Sequence, residues 1–215
     1  MMVNKQSTLG DQAYTALREK VAALESGTYL STRQFAKEIG ISYTPVREAF
    51  LRLKREGMLR QIENVGYFVA SMDISDMIQA FQVRECIEPY VLQKVFNRIE
   101  DIHIGRMREY VKLQQEYLEK RDIVQYMKTD IKLHGVFIDL FSNQHLKSTY
   151  YMVREMYMFC SNKVAKNLVP YAFDEHTQLI NAIENREEAL SIELLKGHIE
   201  EAKQRMMEGY TNVGK

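Results

Sequence analysis

A chain of 215 residues, 46% hydrophobic and 27% charged, has room for one large domain or two modest ones, each with a buried core. No apolar run approaches the ~20 residues that span a bilayer, and the N-terminus lacks the apolar core of a secretory signal, so a cytoplasmic protein with no membrane partner is expected. Net charge is zero overall, but residues 1–72 carry 10 Lys and Arg against 7 Asp and Glu, and residues 73–215 carry 19 against 22; this fits a mildly basic nucleic-acid domain joined to an acidic one.

The two cysteines, Cys86 and Cys160, have no CxxC spacing and are read as reduced, helix-packing thiols.

From the N-terminus, Ala13, Leu17, Val21 and Leu24 recur at helical spacing over residues 9–25, and Ser26-Gly27 ends that helix. A short second helix over 31–39 stops at Gly40. A third opens at Ser42 or Thr44, with Pro45 in its first turn, where a missing N–H costs nothing. Within it Val46, Ala49, Phe50 and Leu53 form an inward stripe. Met58–Ile62 and Tyr67–Ala70 read as a hairpin with Asn64 and Gly66 in the turn. Two helices about a Gly-Ile-Ser turn, then a hairpin, is the order of a winged helix-turn-helix, whose second helix enters the DNA major groove.

Beyond Ala70, residues 71–76 read as a linker. Helical patterns then follow at about 75–97, 100–119, 122–141, 145–166, 174–185 and 187–208. Pro89 falls inside the first of these and should kink it, and Pro170 separates the fourth from the fifth. The expected architecture is therefore mainly α: a winged helix-turn-helix over 1–70, and an antiparallel all-helical bundle over 77–215.

With the apolar stripe inward, Thr44 and Arg47 share the opposite face of the third helix, and Ser42 and Tyr43 stand at its start. Arginine suits guanine edges or phosphates; Ser and Thr at a helix start suit phosphates. Arg33 on the preceding helix is placed to grip the backbone or reach a base, and Gly66 would let the wing approach the minor groove. Arg52, Lys54, Arg55 and Arg60 add positive charge. The stretch Ser42-Tyr43-Thr44-Pro45-Val46-Arg47-Glu48-Ala49-Phe50, followed by Arg52-Leu53, resembles the signature of the GntR family of bacterial regulators. Leu30, Arg33 and Ala36, and the turn Glu56-Gly57-Met58, fit the same family. The resemblance implies DNA contacts by Arg33, Ser42, Thr44, Arg47 and Gly66. Tyr43 stands where the family usually has a base-reading arginine, so the operator is expected to depart from the family's common sequence. Ser26-Gly27 stands where Pro-Gly is usual.

In the helical part, Asp130 and His134 are spaced i, i+4, about 40° apart round a helix axis, and can chelate one ion. His176 and His198 lie on the last two helices beside inward-facing apolar arcs. Three imidazoles and a carboxylate favour Zn²⁺, Ni²⁺ or Mn²⁺. Spacing alone leaves the ordinary alternative open, that these are surface or satisfied core histidines. Asp130-x-x-x-His134, Ser142-Asn143, Leu146, Glu175-His176, Ala182-Ile183 and His198-Ile199 resemble the FCD ligand-binding domain of the FadR subgroup. Val83-Arg84-Glu85 and Ile87-Glu88-Pro89 match its opening helix. The resemblance implies a divalent metal held by Asp130, His134, His176 and His198, and a cavity that takes a carboxylate effector, such as a sugar acid or another metabolic acid. Arg84, Asn143 and Arg154 match polar positions that line it. His103 and His145 fall outside the pattern and read as surface residues. The methionines and tyrosines crowding 150–159 read as core.

These readings together describe a transcriptional regulator, most often a repressor in this family. It would bind a palindromic operator as a homodimer, under control of a small carboxylate. Two rivals are a metal-dependent enzyme acting on a small organic acid and a DNA-binding protein whose metal is purely structural.

Overall fold

The computed structural model describes residues 8–71, 73–164 and 172–212. The expected break at Pro170 and the end of the helix expected over 145–166 lie outside them, as does the side chain of Cys160. The chain divides into two compact units, Met1–Ser71 and Met72–Lys215.

The N-terminal unit opens with α1 (Leu9–Ala23), where Thr8 and Asp11 form a reciprocal capping box. Leu24, read from its spacing as part of this helix, is already extended. A two-residue strand β1 (Tyr29–Leu30), too short to show any alternation, leads into α2 (Thr32–Ile39). Ser31 caps α2 by accepting the Gln34 N–H, and Gly40 ends it with φ 66°, a left-handed conformation that glycine adopts without a Cβ penalty.

Next comes α3 (Tyr43–Arg55), which buries Val46, Ala49, Phe50 and Leu53 as its periodicity requires. The hairpin is β2 (Leu59–Ile62) and β3 (Gly66–Val69); β3 also pairs with β1, making an antiparallel sheet of order β1-β3-β2. Phe50 joins the layers, packing edge-on to Phe35 of α2 and against Tyr67 of β3.

In the C-terminal unit the described residues form α4 (Ile74–Val95), α5 (Asp101–Glu119), α6 (Ile123–Ile138), α7 (Gln144–Val164), α8 (Phe173–Glu184) and α9 (Glu188–Asn212). A 3₁₀ turn over Phe96–Arg98 follows α4. Asp73 caps α4 in a box with Asp76, so the end of the expected linker is the first turn of this helix. The helix continues through Pro89 without interruption. It packs on α6, α7 and α9, while α8 packs on α5 and α9, so one polar cluster can draw on every helix of the bundle.

Cys86 is exposed rather than packed between helices, because α4 turns that position away from the arc carrying Arg84 and Glu88. Tyr150, Tyr157, Met158 and Phe159 are buried as expected, but Met152 is exposed.

Candidate functional site

The core of the helical unit contains charges, and their arrangement is specific. Four ligand-type side chains converge: Asp130 and His134 from α6, His176 from α8 and His198 from α9, with one candidate ligand atom from each lying within 4.8 Å of the others. The three histidines are buried, and the Asp130 side chain is 16% exposed. The four residues singled out in the sequence therefore lie together.

Each imidazole has its Nδ1 turned to a different side chain. His176 Nδ1 lies 3.0 Å from Gln114 Oε1 on α5, and His198 Nδ1 lies 2.8 Å from Glu175 Oε2. His134 Nδ1 is 2.7 Å from Glu88 Oε2 on α4, a charged contact outside strict hydrogen-bond direction. Acceptors at Nδ1 select the tautomer that carries its proton there and leaves a lone pair on Nε2. Those lone pairs face inward. His134 Nε2 and His176 Nε2 are 3.3 Å apart, His176 Nε2 is 3.3 Å from Asp130 Oδ1, and His198 Nε2 is buried without a hydrogen-bond partner among the described residues. A cation among them satisfies all four, and the donor set of three nitrogens and one carboxylate oxygen suits a borderline divalent ion.

The protonation states agree. Burial lowers His176 well below the ordinary imidazole range, reinforced by His198, and Asp130 only partly opposes this. Burial brings His198 down to about 4 despite its bond to Glu175. Both imidazoles are neutral at neutral pH, the form that binds metal. Burial alone would raise Asp130 and Glu88. The Arg154 guanidinium outweighs it for Asp130, and the Arg84 guanidinium outweighs it for Glu88, so both carboxyls stay well below the usual range.

Arg84 and Arg154 both sit within this cluster. Arg84 Nε donates to Glu88 Oε1 at 2.7 Å, and Arg154 Nη2 pairs with Asp130 Oδ2. Arg84 Nη2 and Arg154 Nε are buried with no hydrogen-bond partner among the described residues. Both residues line a cavity of about 100 Å³ that Asp130 and His198 also border.

Asn143, expected there, is elsewhere: it is exposed, and its Oδ1 accepts the Leu146 N–H at the start of α7. An Asn just before a helical run is a capping signal, and that role accounts for its place. His145 is exposed, and the His103 ring caps α5 by accepting the Glu100 N–H at 3.0 Å.

Sequence reasoning missed Glu88, Gln114 and the Glu175–Arg205 pair as site residues. Gln114 is buried, and besides holding His176 it donates from Nε2 to Asp130 Oδ1 at 3.2 Å. Arg205 forks onto Glu175 with bonds of 2.6 and 3.0 Å. No spacing links Gln114 to its partners, but a polar residue on the Ile104–Met107–Val111 arc of α5 was a readable sign.

In the N-terminal unit, Arg33, Ser42, Tyr43, Thr44 and Arg47 are all exposed. The Ser42 side chain, at the N-cap of α3, makes no capping bond, and Arg33 and Arg47 have no hydrogen-bond or ion-pair partner among the described residues. Of the supporting cations, Arg52 pairs with Glu56 and stacks over Tyr14, and Lys54 donates to Gln61. Gly66 has φ 145°, and a Cβ there would meet the Tyr29 ring at 2.6 Å, so wing geometry alone calls for glycine at this position.

Residues 79–201 match the family model of the FCD domain, and residues 9–69 match that of bacterial regulatory proteins, gntR family. The chain belongs to the GntR family and carries an FCD domain. One relative is the gluconate operon transcriptional repressor of Bacillus subtilis, 23% identical over 212 residues, covering 95% of this chain and 87% of that protein. Another is the Nta operon transcriptional regulator of Aminobacter aminovorans, 22% identical over 174 residues, 81% of this chain and 82% of that protein. In fold, the GntR chain resembles McbR/YncC of E. coli, with a TM-score of 0.79 at 17% identity over 95% of this chain and 100% of that one. It is a transcriptional regulator of a DNA-binding family; neither family model and neither of these relatives describes an enzyme. No helix among the described residues is long and apolar enough to cross a membrane.

Proposed function

We propose that this GntR regulator is a repressor that binds a palindromic operator as a homodimer, under control of a small carboxylate taken up beside a divalent metal in the FCD domain. The observation that carries the proposal is the set of three inward Nε2 atoms and one carboxylate, each imidazole held from behind by Glu88, Gln114 or Glu175. Backing of this kind orients ligands for a metal and raises their basicity. Asp130, His134, His176 and His198 would hold the ion, with zinc or nickel the best fits and manganese a third. Held by these four ligands, an ion that takes six-fold coordination would leave positions for a carboxylate oxygen. Arg84 and Arg154 offer their unpartnered nitrogens to the same anion.

On the DNA side, Arg47 and Thr44 form the reading face of α3, with Tyr43 and Ser42 at its start, and Arg33 and the wing at Gly66 support it. The uncommitted Arg47 side chain suits a bidentate contact to guanine, and the Ser42 hydroxyl suits a phosphate. Repression is the direction taken by the gluconate operon relative, and a two-fold symmetric protein matches a palindromic site.

Two variants test the halves separately. Arg47→Ala should weaken specific operator binding roughly 10- to 100-fold, the value of one bidentate base contact, while the helical unit keeps its melting behaviour; undiminished specific binding refutes the reading face. His134→Ala combined with His176→Ala should leave the protein without stoichiometric metal by elemental analysis, and equal metal content in that variant refutes the centre.

A further inference from the structure

The cavity beside the metal cluster gathers most of its charged groups at one end, formed by Arg84, Asp130, Arg154 and His198. Phe81, its ring 5.2 Å from the Arg84 guanidinium carbon, marks the boundary of that end. Beyond it the apolar wall is Ile123, Met127, Met158 and Met206. The sequence positions show one gradient on three helices. On α6, Ile123 precedes Asp130 by seven residues, about 10 Å of helical rise. On α9, Met206 follows His198 by eight residues, about 12 Å. Met158 lies one turn after Arg154 on α7.

Among the described residues, the polar groups lining this second end are few. They are the hydroxyls of Tyr126 and Tyr157, and Arg205, whose two terminal nitrogens are already taken by Glu175. A sugar acid brought here would strip water from several hydroxyls with too few partners to replace it, an uncompensated cost for each. A methylene chain would instead meet thioethers and an aromatic ring, surfaces that adapt to apolar ligands. The space, about 100 Å³, is of the order that takes a ligand of a few carbons; an engineered apolar cavity of about 150 Å³ holds benzene.

We infer that the effector is a short-chain monocarboxylate with an unsubstituted apolar tail, its carboxylate at the Arg84–Asp130–Arg154–His198 end and its tail running along α6 towards Ile123. This rests on the reading above that the site takes a carboxylate beside a metal, and it narrows the sugar acid or other metabolic acid expected from family resemblance.

The test is calorimetric titration of the full-length, zinc-loaded protein with acetate, propionate, butyrate and pentanoate, and with gluconate and citrate. Affinity should rise about fourfold for each added methylene, the gain from burying one CH₂, until the cavity is full, and butyrate should bind more tightly than gluconate or citrate. A flat or falling series, or tighter binding of gluconate or citrate, overturns the apolar-tail assignment and leaves the carboxylate site standing. Failure of all six acids to bind overturns both. In Met127→Gln, close to the original in shape, the gain per methylene should shrink; an unaltered series in that variant also overturns the assignment.

Discussion

The proposed reading surface of the winged helix and the polar cluster of the FCD domain are built in opposite ways. Ser42, Tyr43, Thr44 and Arg47 occupy one continuous turn and a half of sequence, stand exposed, and leave their polar groups uncommitted. Asp130, His134, His176 and His198 come from three helices, are buried or nearly so, and have their rear atoms engaged by Glu88, Gln114, Glu175 and Arg154. The difference follows from the partners each must meet. A nucleic acid arrives as a large, hydrated surface, and exposed side chains can adjust to it. An ion in a core must find its ligands already placed, because an unsatisfied charge there is costly. Substitutions in the first region should change recognition with little effect on folding, whereas in the second they should change folding and binding together.

The largest effect expected on stability is at Glu88. Glu88→Ala leaves the buried Arg84 guanidinium without its carboxylate and should destabilise the helical unit by about 3–5 kcal/mol, as removal of one partner from a buried ion pair does. Chemical denaturation would measure it, and a loss under 1 kcal/mol would mean that the pair is far better solvated than its burial implies. Next in size, Gln114→Ala frees His176 to change tautomer and releases Asp130. Metal affinity should fall about 10- to 100-fold with the fold retained, which a competition titration with a chelator would read; unchanged affinity would remove Gln114 from the site. Smallest, Gly66→Ala should destabilise the N-terminal unit by about 1 kcal/mol from its backbone conformation, since the exposed Tyr29 ring can swing aside. A neutral result in thermal melting would show that the wing relaxes.

Legibility in the sequence divides along the same line. The exposed face of α3 is legible because helix, turn and hairpin are local: Val46, Ala49, Phe50 and Leu53 announce the buried face of α3, and what remains must be outside. The three residues around Asn64 were legible as a turn, but β1 was not, because two residues carry no periodicity. In the helical unit, the helices could be read from their apolar arcs, while the cluster could not be assembled from spacing, which relates only Asp130 to His134. His176 and His198 join them only as neighbours of inward-facing apolar arcs, with the full ligand set implied by family resemblance, and Glu88 and Gln114 escape notice because a buried polar residue on a mostly apolar arc looks like any other until its partner on another helix is known. Asn143 was misplaced for a related reason: a residue type suited to a ligand is equally suited to a helix cap, and local geometry favoured the cap. Cys86 was assigned to packing by residue type alone, and the turn of α4 points it outwards.

The most direct measurement is operator affinity, in four conditions: metal-free and metal-loaded protein, each with and without a small monocarboxylate such as butyrate. The account predicts that the acid changes affinity by about 5- to 150-fold, the usual range for coupling between two sites, in the metal-loaded protein only. Equal operator affinity in all four conditions, with the acid demonstrably bound, would contradict it.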